Sequence, residues 1–185
     1  MLKEKYEKEV VPKMMEIFKY KNKMQVPKIE KVVINAGVGK ILSEYETNKR
    51  KEILSAIEKD LAMITSQKPC FRKCKMTISG FGVRKGAIVG LKVTLRKKRM
   101  WDFLERLIFI ALPRTRDFKG IPQSSFDQNG NLTIGIKEHI VFPEIKPEKV
   151  KRVFGMEISI ITNAKTKKEA QKLFELLGFP LKNKK

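Results

Sequence analysis

Cys70 and Cys74 are the two cysteines of the chain, and they stand four residues apart among lysines and arginines. Structural zinc needs four Cys or His ligands, commonly arranged in two close pairs. The chain offers one histidine, His139, and it lies 65 residues beyond Cys74. The cysteine spacing also differs from the CxxC of thiol redox pairs. We therefore predict no metal site, and we interpret the cysteines as small buried side chains with free thiols in a reducing compartment.

Two glycine-containing turns could be mistaken for phosphate-binding loops. The segment GVGK at 37–40 would need Gly at Ile34 and Ser or Thr at Ile41 to form a P-loop. The segment at 80–82 would need Gly in place of Lys85 to complete a GxGxxG motif. Both segments are therefore interpreted as tight turns.

Catalytic motifs are equally sparse. His139 follows Glu138, but adjacent residues on a strand point to opposite faces. The sequence contains no GxSxG motif, and nothing in it selects a particular pair of carboxylates for acid–base chemistry. We predict that the chain is not an enzyme and uses no cofactor.

The charge distribution points instead to a polyanionic partner. The 185 residues carry a formal net charge of +21, and a compact chain with that charge repels itself unless a polyanion offsets it. Between Asp60 and Asp102 lie 41 residues with 11 lysines or arginines and no acidic side chain. A proteome that is rich in lysine would raise the positive charge along the whole chain, but it would not remove the Asp and Glu residues from one stretch. The pattern favours nucleic acid as the partner.

The sequence has no feature of a membrane or secreted protein. The longest apolar run, LIFIAL at 107–112, is far shorter than the ~18 residues that a membrane span needs. The first ten residues alternate in charge and lack the apolar core of a signal peptide. We expect a cytoplasmic protein that has no membrane partner.

Hydrophobic periodicity predicts an α+β fold, in which helices pack on one face of a largely antiparallel β-sheet. Helices are expected over residues 3–20, 47–64 and 100–111 and between Thr166 and Gly178, and strands over 28–36, 91–96, 131–137 and 156–162. Pro12 predicts a kink or a late start in the first helix, and Pro113 predicts the end of the third. Residues 1–185 are expected to form a single domain that includes an N-terminal helix at 1–20, a projecting basic loop at 68–86 and a long irregular loop at 113–130.

Two of the predicted strands offer a face for RNA. In the strand 91–96, Lys92, Thr94 and Arg96 alternate with three apolar residues and therefore share one side. Lys31 and Asn35 are expected to do likewise on the strand 28–36. Such residues can bind phosphates, ribose hydroxyls and bases, although a merely solvated sheet face remains the alternative. Aromatic residues are few here (Phe71 and Phe81), which favours a structured RNA recognised by shape over a stacked single strand.

Seven blocks of sequence resemble, in this order, the bacterial L5 family of large-subunit ribosomal proteins. They are VVINAGVG, ITSQKP, GFGVRKG, LKVTLRKKRMWDFLERL, PRTRDFKG, SFDQNGN and FPEI. The resemblance runs from about Tyr6 to Pro180. It implies a non-catalytic protein that binds 5S rRNA in the central protuberance and helps to attach it to the large-subunit rRNA. It also implies contacts with P-site tRNA and with a protein of the small-subunit head.

Three groups of site residues are predicted. The resemblance matches Asn35, Gln67 and Thr94 to family residues that face 5S rRNA, and Lys68, Lys92 and Arg96 sit beside them. Lys31, from the strand pattern, completes the rRNA-binding group. The tRNA-facing loop carries Arg72, Lys73, Lys75, Arg84 and Lys85. The subunit bridge is expected to involve Arg114, Arg116 and Lys119, together with the region near FPEI.

The chain departs from the family pattern mainly around this loop. Ser66 stands where the family typically has Gly, Arg72 replaces a Thr, and Cys74 replaces an Ala. Met76 and Gly82 each replace a Lys. An rRNA assembly or processing factor and a basic nucleic-acid-modifying enzyme remain the alternative functions.

Overall fold

The structure is a computed structural model, and it describes residues 1–77, 80 and 83–182. Its α-helices are α1 (Leu2–Lys5), α2 (Val11–Phe18), α3 (Gly39–Ser43), α4 (Thr47–Thr65), α5 (Lys97–Arg106), α6 (Leu112–Arg114) and α7 (Lys167–Leu177). Its strands are β1 (Ile29–Gly37), β2 (Cys70–Lys73), β3 (Ile88–Leu95), β4 (Leu132–Ile136) and β5 (Met156–Thr162). The predicted helices and strands are all present, and β2 was not predicted.

Both helices that contain a proline widen by one π-helical turn just before it. The turn Tyr6–Val10 links α1 to α2, and the turn Leu107–Ala111 links α5 to α6. Each proline therefore lies in the first turn of a new α-helical segment, where its missing N–H is not needed. Pro12 thus does not delay the first helix, and the helix predicted to end at Pro113 continues to Arg114.

The strands form one five-stranded antiparallel sheet in the order β2-β3-β1-β5-β4. β2 and β3 make a hairpin in which Cys70 pairs with Lys92 and Phe71 with Leu91, and the register shifts between Arg72 and Lys73. Within the predicted loop 68–86, residues Cys70–Lys73 therefore form an edge strand. The α+β fold class is confirmed.

The chain divides into two compact units, each with its own buried side chains. The first comprises Met1–Val33, Leu95–Ile134 and the described residues from Ile158 onward, and the second comprises Ile34–Thr94 and Gly135–Glu157. Fully buried side chains of the first unit include Met14, Leu95, Phe103, Leu104, Leu173 and Phe174. Those of the second include Ile34, Ile57, Leu61, Ile64, Leu91 and Phe142. The prediction that the chain is a single domain stays a prediction.

Local sequence signals account for several helix boundaries. The Thr166 hydroxyl accepts a hydrogen bond from the Glu169 N–H while the Glu169 carboxylate accepts one from the Thr166 N–H, which completes the predicted capping box of α7. Gly178 ends α7 in the left-handed conformation, at φ +97°. The predicted irregular loop at 113–130 contains one short 3₁₀ turn, Gln123–Ser125, in addition to the end of α6.

Candidate nucleic-acid interface

β3 separates its apolar and polar residues onto two faces, as predicted. Leu91, Val93 and Leu95 are buried, whereas Lys92 and Thr94 on the opposite face are half-exposed. Arg96 lies one residue beyond the strand, is exposed and adopts the extended conformation of a helix N-cap. The face of β3 that carries Lys92 and Thr94 is therefore open to a partner.

β1 alternates in the same way over most of its length. Lys31 and Asn35 are half-exposed, while Val32, Ile34 and Ala36 are buried. The Asn35 side-chain amide Nδ2 lies 3.4 Å from the Glu157 Oε1 atom and donates to it. This contact directs the N–H side of the Asn35 amide to Glu157 and leaves the Asn35 oxygen available as an acceptor.

Gln67 is held against β3 by its own side chain. The Gln67 Nε2 atom donates to the Thr94 carbonyl oxygen at 3.3 Å. The Thr65 hydroxyl lies 2.7 Å from the Leu61 carbonyl and 3.0 Å from the Gln67 carbonyl, which anchors the chain as it leaves α4. The structure thus brings Gln67 to Thr94, two residues that are 27 positions apart in sequence.

The cysteines are not buried, and their prediction as buried side chains is wrong. Cys70 is exposed and Cys74 half-exposed, and both thiols are free. Because Cys70 pairs with Lys92 across the hairpin, its side chain points to the same face of the sheet as Lys92. Phe71 pairs with the buried Leu91 and therefore points to the opposite face.

The hairpin continues beyond β2 and carries the predicted basic loop at its end. The Cys74 N–H donates to the Ala87 carbonyl at 2.8 Å, and the Gly86 N–H donates to the Cys74 carbonyl at 2.9 Å. Further out, the Lys85 N–H donates to the Thr77 hydroxyl at 3.1 Å. Five exposed cations project from this region: Arg72, Lys73, Lys75, Arg84 and Lys85. Phe81 and Gly82 lie outside the described residues.

The residues predicted to form the subunit bridge are also exposed. Arg114 ends α6, and Arg116 and Lys119 follow it in the irregular loop. The Thr115 hydroxyl donates to the Ala111 carbonyl at 2.9 Å, which fixes the chain between the two arginines.

Acidic partners are distributed unevenly among the cations. Arg152 contacts Glu44 at 2.8 Å, and Lys151 contacts Glu52 closely enough to lower the pKa of that carboxyl. Within the described residues, by contrast, none of the cations predicted to contact rRNA, tRNA or the small subunit has an ion-pair partner. These cations are therefore available to phosphates or to an acidic protein.

Comparisons with known proteins identify the family of the chain. Two family models match the chain: "Ribosomal protein L5" over residues 22–84, and the model of the C-terminus of the same ribosomal family over residues 88–181. The chain belongs to the ribosomal protein L5 family.

Relatives in the L5 family cover almost the whole chain. The large ribosomal subunit protein uL5 of Caldanaerobacter subterraneus subsp. tengcongensis is 54% identical over 179 residues, which are 97% of each chain. The proteins of the same name from Kosmotoga olearia and Dictyoglomus turgidum are 51% and 52% identical, over 98% of this chain and 96% and 98% of theirs. The predicted family is confirmed.

Membership of the L5 family gives the chain a structural role in the ribosome rather than a catalytic one. Among residues 1–77, 80 and 83–182, no group of three or more His, Cys, Asp or Glu side chains could hold a metal ion. No helix in that part of the chain is long and apolar enough to span a membrane.

The candidate base His139 is a buried structural residue in this L5 protein. It lies in a 3₁₀ turn rather than on a strand, and its ring stacks on Phe154 at 4.0 Å. The His139 Nδ1 atom accepts a hydrogen bond from the Phe154 N–H at 3.3 Å, and its Nε2 atom lies 3.5 Å from the Asp60 carboxylate. Burial lowers the pKa of His139 and raises that of Asp60, while each group's charge opposes the shift of the other.

Two features of the open sheet face were missed at the level of sequence. Glu157, which orients Asn35, belongs to the alternating strand MEISIIT, so its exposure could have been read from that pattern. The face of the sheet on which Cys70 lies could not be predicted, because the four residues of β2 show no alternation of apolar and polar types.

Proposed function

We propose that this chain binds 5S rRNA through the open face of the sheet and attaches it to the large-subunit rRNA in the central protuberance. In the same proposal, the basic hairpin loop contacts P-site tRNA, and the segment after α6 contacts a protein of the small-subunit head. The chain then acts as a component of the large ribosomal subunit, which is cytoplasmic in bacteria.

The observation that carries the 5S proposal is the combination of oriented acceptors and unpaired cations in the second unit. Gln67 and Asn35 each donate an amide N–H within the protein, and among the described residues the amide oxygen of each is left available as an acceptor. Lys68 is exposed, Lys92 is half-exposed, and neither has an acidic partner among the described residues. A folded RNA offers a partner for each: its ribose hydroxyls can donate to the amide oxygens, and its phosphates can bind the lysines.

The oriented acceptors favour RNA over DNA. The 2′-hydroxyl is the group that distinguishes RNA from DNA, and it donates to amide oxygens. The lysines bind phosphates of either nucleic acid and supply affinity without reading the sequence. We therefore expect the amides to determine the kind of nucleic acid and the lysines to determine how tightly it binds.

The tRNA proposal rests on the shape of the hairpin. Backbone hydrogen bonds extend the stem of the hairpin past β2 to Cys74 and Ala87. The loop that carries the cations is therefore attached to an ordered hairpin stem. Lys75, Arg84 and Lys85 are exposed in this loop. Such a group of cations can follow a phosphate backbone without recognising particular bases.

The bridge proposal rests on charge. Arg114, Arg116 and Lys119 place three exposed cations within six residues, with Asp117 as the one acid among them. An acidic segment of a small-subunit protein would complement this group electrostatically.

Measuring 5S rRNA binding as a function of salt tests the first proposal. We expect the pair of changes Lys68→Ala and Lys92→Ala to weaken binding and to lower the slope of log affinity against log salt by about 1.4–1.8, since each phosphate contact contributes ~0.7–0.9. Lys13→Ala is the matched control, because Lys13 is exposed on α2 and has no ion-pair partner among the described residues. An unchanged slope in the double variant would refute phosphate contacts by Lys68 and Lys92, and an equal affinity of the wild-type chain for unrelated structured RNA would refute specific 5S binding.

A loop variant tests the tRNA proposal separately. Arg84→Ala together with Lys85→Ala should speed the dissociation of P-site tRNA from reconstituted ribosomes and leave 5S rRNA affinity unchanged. Equal dissociation rates with and without the two changes would remove the tRNA role while leaving the 5S proposal intact.

A further inference from the structure

A pocket beside Trp101 lies in the first unit, and none of its lining residues has been given a role above. Its volume is about 470 Å³, within the ~300–1,000 Å³ typical of ligand sites. It is lined by Met1, Lys3, Lys97, Lys98, Trp101, Asp102 and Glu105. The lining thus combines one aromatic ring, several cations and two carboxylates.

The indole of Trp101 is supported on one side and accessible on another. The ring centroids of Trp101 and Tyr6 are 5.5 Å apart, with an interplanar angle of 34°. The Tyr6 hydroxyl donates to the Pro27 carbonyl at 3.0 Å, which fixes the ring behind the indole. Trp101 is half-exposed, and in the described part of the chain its N–H has no acceptor. The Tyr6 ring therefore fixes the position of the indole, and the exposed face of the indole is available for stacking.

Two of the lining cations, Lys97 and Lys98, have no acidic partner among the described residues. Lys97 and Lys98 are exposed and stand between two further exposed cations, Arg96 and Arg99. Lys3, in contrast, contacts Glu7 at 3.6 Å. Within the described residues, the four consecutive cations from 96 to 99 have no ion pair, so they are available to phosphates.

The two carboxylates suit a different part of the same ligand. Asp102 is exposed one residue after Trp101, and Glu105 is half-exposed one turn further along α5, where its Oε2 atom lies 3.4 Å from the Leu2 N–H. A carboxylate repels phosphate but accepts hydrogen bonds from the exocyclic amino group of a base. Phosphate-binding lysines, a stacking platform and an acceptor for an amino group together match a nucleotide.

We propose that this pocket binds an unpaired nucleotide of an RNA strand. Its base stacks on Trp101, its phosphates contact Lys97 and Lys98, and an exocyclic amino group of the base donates to Asp102. Because cytosine has such a group where uracil has a carbonyl, the site should prefer cytosine of the two pyrimidines. The inference adds a second RNA contact to the ribosomal role and does not depend on which RNA occupies the sheet face.

Trp101 is the one tryptophan of the chain, so its fluorescence reports on this site alone. We would titrate the full chain at low salt with hexacytidylate and hexauridylate. Both should quench the fluorescence, with hexacytidylate acting at lower concentration. Trp101→Leu should weaken binding of a labelled hexacytidylate about tenfold, and Trp101→Phe should retain most of the affinity, since stacking contributes ~1–3 kcal/mol per base.

Three variants separate the possible explanations. Asp102→Asn should bring the two affinities together, mainly by improving that for hexauridylate. Phe109→Leu should change neither, because Phe109 is an exposed aromatic of the following helical turn that does not line the pocket. Lys92→Glu should weaken 5S rRNA binding without altering the quenching, so the failure of one proposal is distinguishable from the failure of the other.

Binding of the oligonucleotides without any change in tryptophan fluorescence would overturn the proposal, and this measurement needs no variant. So would a Trp101→Leu variant that melts as the wild type does and binds hexacytidylate equally well.

Discussion

Replacing Ser66 with glycine should stabilise the protein. Ser66 is the C-cap of α4, and its backbone is left-handed, with φ +52° and ψ +29°. That conformation costs a residue with a Cβ atom roughly 1–2 kcal/mol, because the Cβ crowds the following carbonyl. Glycine has no Cβ and is the usual residue at this place in a helix end.

The net gain follows from two opposing terms. Ser66→Gly removes about 1–2 kcal/mol of backbone strain and adds about 0.5–1 kcal/mol of conformational entropy to the unfolded chain. The Ser66 side chain is exposed and makes no side-chain hydrogen bond within the described residues, so little else is lost. We expect the free energy of unfolding to rise by about 0.5–1 kcal/mol, which corresponds to roughly 1–4 °C in melting temperature for a chain of this size.

Urea denaturation, followed by the circular dichroism of the helices, measures this change. Ser66→Ala is the first control and should be nearly neutral, because alanine removes the hydroxyl but keeps the Cβ. Ser55→Gly is the matched control, since Ser55 is an exposed serine in the interior of α4. There, glycine should destabilise by about 0.5 kcal/mol. A loss of stability in Ser66→Gly, or equal effects at the two positions, would refute the argument from backbone strain.

Three further predictions concern other buried or capping residues. Asp60→Asn should lower the pKa of His139 further below its usual value, because it removes the carboxylate that favours the imidazolium; an NMR titration of the single histidine measures this shift. Because the pKa of His139 is lower in the folded chain than in the unfolded chain, the unfolded chain binds the imidazole proton first as the pH falls. The free energy of unfolding should therefore decrease below about pH 6.5. Gly130→Ala should destabilise the protein by about 2–4 kcal/mol in urea melts for two reasons. The added Cβ would lie 2.8 Å from the Ala170 Cβ, and the backbone of Gly130 is left-handed, with φ +76°. Thr166→Ala should cost about 1 kcal/mol by removing one half of the α7 capping box.

Much of the fold could be predicted from the sequence because its signals are local and agree with one another. The alternation in LKVTLR identifies both the strand and its open face, and Thr166 with Glu169 identifies the start of α7. The same alternation predicts that Lys92 and Thr94 share the face opposite the buried Leu91, Val93 and Leu95, as the structure shows. The lack of acidic residues between Asp60 and Asp102 is likewise visible in the sequence, and it predicts where the basic surface lies.

The remaining features depend on partners distant in sequence or on backbone geometry. Cys70 is exposed because its pairing with Lys92 places its side chain on the open face of the sheet, and the sequence CFRK gives no sign of that pairing. The π-helical turns accommodate Pro12 and Pro113 through a change of helical register that propensity rules do not contain. The contact between Gln67 and Thr94 joins residues 27 positions apart, and no local pattern predicts it.

The position of β2 at the edge of the sheet has a consequence for the chain before it meets RNA. An unpaired strand edge is a template on which a second copy can add its own strand, and this is a common route to aggregation. β2 is only four residues long, carries Arg72 and Lys73, and has an irregular register between them. Short length, positive charge and a break in the ladder each discourage such pairing. Arg72 and Lys73, which are proposed to contact tRNA, therefore also discourage edge-to-edge pairing between copies of the chain.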